Sequence, residues 1–313
     1  MKAAQKNPKI NWGMVIRVVG SIISTILFIQ IIRKQDWALV GEKLTHVPLP
    51  VFLLAILLTL ASYGFNVLRW CSLLWAQKVE VPYWSAYKIS LGGSFASNFL
   101  PSTIGGDGFR MLAIQPYTKS KNLSIGSVVL DRIINMTAMT FLVPVPLLIF
   151  GTTLTKLISG IGAGVLHAFI IPAPVKKLFS KYTPKLFQAL EAWSKQPGSF
   201  LLAFLYAWPS NILPMLGTFL IARSLGMQIT LWHAIGVQTV SYFLSVLPIS
   251  INGYGLREVV YTTLYSSLGI SIEQASSLAI ITRLVTILST LPGALWLNTL
   301  LPQNSTEPSE VEG

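Results

Sequence analysis

Five arginines, Arg69, Arg110, Arg132, Arg257 and Arg283, lie within or beside apolar stretches, together with three acids, Asp107, Asp131 and Glu258. A charge at the centre of a membrane helix costs about 2.5–3.5 kcal/mol on insertion scales, so such side chains belong in an interior where they are paired or hydrated. A guanidinium forks onto phosphate oxygens and stays charged under almost any condition. Five arginines against three acids therefore suit a pocket for an anion, with the acids holding guanidinium groups in place or binding an amine or a proton. Asp131 and Arg132 are neighbours on a helix and do not face each other, so each needs a partner elsewhere. Arg69, near the end of its apolar run, fits a snorkelling side chain as well as the pocket. Arg110 and Arg257 fit structural ion pairs as well as ligand contacts. Asn98 and Asn252 join them as candidate substrate contacts.

The elements that must carry these groups are irregular. Two apolar stretches, Trp84 to Tyr117 and Trp232 to Leu268, are interrupted by Pro/Gly-rich breaks at Leu100–Gly108 and Leu247–Gly255. Pro101 and Pro248 remove a backbone donor, while Gly105, Gly106, Gly108, Gly253 and Gly255 weaken a helix. Broken backbone at membrane depth is tolerated only where protein or a water-filled cavity satisfies its polar groups. Two re-entrant helical hairpins are the expectation. Free N–H groups at their breaks would add donors for a phosphate.

The remaining sequence is membrane-like. Of 313 residues, 52% are hydrophobic and 11% charged, against roughly 25% charged in soluble domains. This excludes a soluble enzyme, and the net charge of +12 reads as orientation signal and lipid contact rather than nucleic-acid binding. Cys71 stands alone and reads as a small core residue, and His46, His167 and His233 lack metal-ligand spacing, so no metal and no cofactor are expected. Apolar runs long enough to span occur at Met14–Ile32 (an uncleaved first span), Pro50–Trp75, Ser124–Phe150, Leu157–Ile171, Ser199–Ile221 and Ala275–Leu300. With both hairpins returning to their own side, the five-lysine segment 174–198 falls on the same side as the Lys-rich N-terminus, as the positive-inside rule asks. The expected class is thus an all-α polytopic membrane protein with six crossings, two hairpins and both termini cytoplasmic. Val175–Trp193 is expected as an amphipathic surface helix, and residues 302–313 as a disordered acidic tail. Tyr87, Tyr242 and the tryptophans read as packing or interface anchors.

Shifting the chain by 147 residues superimposes the breaks: Leu100, Pro101, Ile104, Gly106, Gly108 and Arg110 meet Leu247, Pro248, Ile251, Gly253, Gly255 and Arg257. The flanks agree at nearby offsets, with Ser62–Leu68 against Ala207–Leu213 and Leu130-Asp131-Arg132 against Ile281-Thr282-Arg283. Two copies of one unit follow, repeat A at about 50–150 and repeat B at about 199–300. Three expected crossings between their starts make the repeat inverted, a transporter design.

The run Asn98 to Arg110 resembles the first signature of the flippase-like transmembrane family, the membrane domain of lysylphosphatidylglycerol synthases. Pro248 to Glu258 resembles its second, and Asp131-Arg132 and Arg283 with Pro292-Gly293 also fit. The resemblance covers roughly residues 10–300, within one integral membrane domain at 1–301. It implies movement of a phospholipid, anionic or aminoacylated, between the leaflets of the cell (inner) membrane. The sequence leaves no room for the soluble synthase domain, so lysine transfer from tRNA is not expected and the lipid stays open.

A phospholipid flippase or scramblase is the leading expectation, a transporter and not an enzyme. A secondary transporter of a small organic anion shares the same features, as does a non-catalytic membrane partner of a separately encoded lipid-modifying enzyme. An intramembrane enzyme would need a base or nucleophile set that the sparse histidines do not supply. No Walker A pattern is present. Membrane phospholipid is the expected partner, with a homo-oligomer or a lipid-modifying enzyme as further partners.

Overall fold

The structure, a computed structural model, describes residues 42, 45–98, 104–168, 196–246 and 256–297. They form helices α1 (Leu49–Ala76), α2 (Tyr83–Ser97), α3 (Ile104–Ala113), α4 (Gln115–Thr118), α5 (Lys121–Thr140), α6 (Pro144–Ala168), α7 (Pro197–Ser224), α8 (Leu231–Val246), α9 (Leu256–Ser266) and α10 (Ile272–Thr290), and a 3-10 turn at Leu291–Trp296. Helices start where the chain offers caps. Ser120 accepts from the Leu123 N–H ahead of α5, and Ser271 accepts from the Gln274 N–H ahead of α10, each satisfying a donor the first turn leaves orphaned.

Three helical stretches are long and apolar enough to cross a bilayer, α1, α7 and α10 with its 3-10 extension. Each shows lipid-like exposure: Leu53 and Leu57 on α1, Leu201 and Leu205 on α7, and Leu288 and Leu295 near the end of the third point outward. Polar side chains such as Ser62, Arg69 and Ser72 turn inward. That inversion suits a lipid solvent.

Ser124–Phe150 was expected as one straight span and Leu157–Ile171 as another. Instead, α5 ends at Thr140, and the chain bends by 73° into α6. Pro144 and Pro146 cannot donate backbone hydrogen bonds into a continuing helix. α6 then runs without a break to Ala168. The stretch 151–156, left between the two expected spans, lies inside this helix, where Thr155 Oγ1 donates to the Gly151 carbonyl. The described residues thus hold three single spans, or four with the bent pair counted as one. The expected span Met14–Ile32, the surface helix Val175–Trp193 and the tail 302–313 lie outside the described residues.

At the positions of the two expected hairpins, α2 packs on α3 and α8 packs on α9. The first break is shorter than expected. Gly105, Gly106, Asp107 and Gly108 are helical, within α3. The reason is close packing. A β-carbon on Gly106 would strike Ser97 Oγ and the Gly93 carbonyl, and one on Gly93 would lie 2.8 Å from the Gly106 carbonyl. The arms touch backbone to backbone, which only glycine allows. Gly293 meets the Leu91 backbone in the same way, seating the 3-10 turn on α2. Residues 99–103 and 247–255, with Pro101, Pro248, Asn252, Gly253 and Gly255, lie outside the described residues.

The helices matched by the duplication, α1 and α7, pack along each other. Ala55 lies against Gly217, Phe65 against Tyr206 with ring centroids 6.5 Å apart, and Leu73 shares a core cluster with Ala203. Numbers rise on one helix as they fall on the other, so the two run antiparallel. Gly106→Ala is expected to destabilise the protein by about 1–3 kcal/mol through overpacking. Gly108→Ala, whose new methyl would meet nothing within 4 Å, is expected to be neutral or stabilising by up to about 1 kcal/mol. Thermal unfolding of both variants in detergent compares them.

Candidate anion-binding cavity

Asp131 is the centre of the charged groups. It sits on α5 with 1% of its side chain exposed. Arg69 from α1 grips both of its oxygens, Nε to Oδ1 at 2.7 Å and Nη2 to Oδ2 at 3.2 Å. Arg110 from α3 adds Nη2 to Oδ2 at 3.0 Å. Three helices are thus tied at one carboxylate. Arg69 therefore does not snorkel. Its remaining Nη1 donates to Asn135 Oδ1 at 2.6 Å and to Ser210 Oγ at 3.2 Å.

Arg132 turns away from Asp131, as adjacency on a helix requires, and pairs with Asp107 on α3. Asp107 also lies 3.7 Å from Arg110 one turn along its own helix. Arg110 lies over the Trp70 ring, 4.2 Å from its centroid, a contact that favours a cation in a desolvated site.

These groups line a cavity of about 250 Å³, bounded by Tyr63 and Asn66 of α1, Ser90, Gly93, Ser94 and Ser97 of α2, Tyr242 and Ser245 of α8, and Thr286 of α10, with Asn98. Its ionic lining is three guanidinium groups against two carboxylates, a net charge of +1 if all are ionised. Asn98 is buried and donates to Thr290 Oγ1 at 2.9 Å. Among the described residues no group of His, Cys, Asp and Glu has a metal-binding arrangement.

The expected five-arginine pocket divides. Arg257 lines a separate crevice of about 20 Å³ with Gln238, Thr218 and Thr282, and its Nη2 donates to the Tyr261 hydroxyl at 3.0 Å. Arg283 pairs with Glu258 at 2.5 Å. Only Thr286 borders both spaces. The matched positions explain the difference. Where the first copy has Arg69 and Asp131, the second has Pro214 and Thr282. The central carboxylate and its clamp are missing, and among the described residues Arg257 lines only the small crevice. An acid–arginine pair occurs in both, Asp107–Arg132 and Glu258–Arg283, but its acids are not at matched positions, because the shift of 147 sets Asp107 against Tyr254 and Glu258 against Met111. In each, an acid on the second hairpin arm meets an arginine on the following helix.

Asn135, Ser210 and Ser90 belong to this network or cavity without being among the expected site residues, and Tyr242, expected as an anchor, lines the cavity. Asn135 stands four residues after Asp131, on the same helical face, and that spacing was a usable signal. Its Oδ1 accepts from Arg69 and from Asn211 Nδ2, and its Nδ2 donates to the Tyr242 hydroxyl at 3.0 Å. It joins the first copy's charges to α7 and α8. Asp131→Asn is expected to destabilise the fold by about 3–5 kcal/mol, because it leaves two buried guanidinium groups without their shared counter-charge. Glu258→Gln, at a pair about a fifth exposed, is expected to cost less, and paired melting curves in detergent measure the difference.

A comparison with curated proteins returns no match. The family model described as the lysylphosphatidylglycerol synthase TM region matches residues 17–293, which takes in α1 to α10 and the whole lining of the cavity. With its lipid-facing helices and buried charges, the chain is an integral membrane protein that belongs to the lysylphosphatidylglycerol synthase transmembrane-region family.

Proposed function

We propose that the protein moves a phospholipid, anionic or aminoacylated, between leaflets, as a flippase or scramblase rather than as a synthase. The observation that carries this reading is the polar cavity inside an apolar bundle, with Arg69, Arg110 and Arg132 around it. A charged head group crossing bare hydrocarbon meets a large desolvation cost, and a lined polar path removes much of it. The cationic excess suits the phosphodiester that every candidate lipid carries. The carboxylates suit an amine where one is present.

The antiparallel packing of α1 on α7 supports an inverted repeat, because helices related by inversion run in opposite directions. In this reading the hairpins are re-entrant and enter from opposite faces of the cell membrane, with both termini cytoplasmic. Phospholipid is the membrane partner, and a separately encoded lipid-modifying enzyme or a second copy of the chain is a further one. Ion gradients or the lipid gradient itself supply the driving force.

In proteoliposomes, exchange of a fluorescent anionic phospholipid between leaflets is expected to exceed that in protein-free vesicles. Arg110→Ala is expected to slow it at least about tenfold, a barrier change of roughly 1.4 kcal/mol. Arg257→Ala, in the separate crevice, is expected to slow it less. Exchange no faster than in empty vesicles across lipid classes would overturn the proposal.

A further inference from the structure

The donors of the charged cluster are unequally used. Arg69 spends Nε, Nη1 and Nη2 on Asp131, Asn135 and Ser210. It is a strut of the bundle. Arg110 differs. Its Nη2 is held by Asp131, while its Nε is buried and has no hydrogen-bond partner. A buried guanidinium N–H without an acceptor is costly, and such orphans are uncommon in folded proteins.

A second orphan lines the same cavity. Ser90 is 3% exposed, and its Oγ has no partner. Serines elsewhere in the bundle usually donate back to a carbonyl one turn earlier, as Ser62, Ser72, Ser97 and Ser127 do. Ser90 does not. It stands three residues before Gly93 on α2, so the two share a face. The aliphatic stem of Arg110 crosses Gly93, with Cγ 2.9 Å from where a β-carbon would be. The missing side chain at Gly93 thus lets Arg110 lie along the face that carries Ser90.

We infer that Arg110 Nε and Ser90 Oγ together bind one tetrahedral oxyanion, a phosphate mono- or diester, inside the cavity. This deepens the proposed function and rests on it for the choice of a lipid phosphodiester as the ligand. One donor is ionic and oriented by Trp70 and Asp131. The other is neutral and fixed on a helix packed by glycine contacts. An ester oxygen between them would satisfy both orphans at once. Asp131 is shared with Arg69, and Asp107 with Arg132, so the three guanidinium groups exceed the two carboxylates by one charge and an anion still gains from arriving there.

The test is a calorimetric titration of the purified full chain in non-ionic detergent. The probes are dihexanoyl-phosphatidylglycerol, glycerol 1-phosphate and inorganic phosphate. The short-chain lipid is expected to bind. Ser90→Ala is expected to weaken its binding about tenfold, in line with a hydrogen bond to a charged group. Arg110→Lys, which keeps the charge beside Asp131 but loses Nε, is expected to weaken it at least as much. Lys88→Ala, a cation over the Trp296 ring and outside the cavity, is expected to bind within twofold of the parent. Binding by Ser90→Ala and Arg110→Lys within twofold of the parent overturns the inference, as does an absence of binding for every probe. Inorganic phosphate binding as tightly as the lipid, with the same losses in both variants, upholds the pair and overturns the lipid reading instead. Leaflet exchange without measurable loss of affinity in either variant upholds the proposed function and overturns the pair.

Discussion

The bundle depends on one buried carboxylate. Asp131 accepts from Arg69 and Arg110 and so fixes α1, α3 and α5 around a common point. Without it, two guanidinium groups would face each other in an apolar interior, where an unpaired charge is strongly unfavourable. With it, Arg69 becomes a brace and Arg110 keeps a free edge toward the cavity. The outer pair Asp107–Arg132 extends the same logic toward the rim, where Arg132 is about a third exposed. Charge in this protein is therefore spent in two ways, to hold helices together and to leave one cationic surface available.

The duplication is unequal for the same reason. Both halves carry an arginine at the matched position of a short helix, Arg110 and Arg257, and both have an acid–arginine pair, though from acids at unmatched positions. Only the first copy has the central acid and its clamp. In the second, Arg257 turns to Tyr261, and hydroxyl and amide groups occupy the matched space. The present chain concentrates its cationic surface in one half and uses the other half as the opposing wall, through Tyr242, Ser245 and Thr286.

Much of this was legible in the residues. The apolar runs placed α1, α7 and α10 to within a few positions, because length and hydropathy alone decide what crosses a bilayer. Of the eight intramembrane charges, Arg69, Asp107, Arg110, Asp131 and Arg132 line the cavity, whereas Arg257, Glu258 and Arg283 pair elsewhere. The misreadings have physical causes. Gly105–Gly108 looks like a helix break until its tight neighbour, Gly93 on α2, is known. The end of one expected span at Phe150 and the start of the next at Leu157 fall inside the single helix α6, where Thr155 satisfies its hydroxyl on the preceding turn. The split of Arg257 from the other arginines was hidden because a local pattern does not say which helix a side chain reaches. Ser90 carried no sequence signal at all. Its significance lies in a partner that is missing, and only three-dimensional neighbours reveal that.

The glycine contact between α2 and α3 also limits how the molecule can move. Two backbones in direct touch interlock at the level of main-chain atoms, with no side-chain layer between them to shear or repack. This pair of helices, which carries Ser90 and Arg110, is therefore a wedge whose two arms resist sliding past each other. Any rearrangement of the cavity falls to softer seams, above all to α7, which carries Pro209 and Pro214 on either side of Ser210 and Asn211. Those two residues are the ones that hold Arg69 and Asn135 from the opposite half, so a flexing α7 would loosen or tighten the far wall while the wedge stays whole.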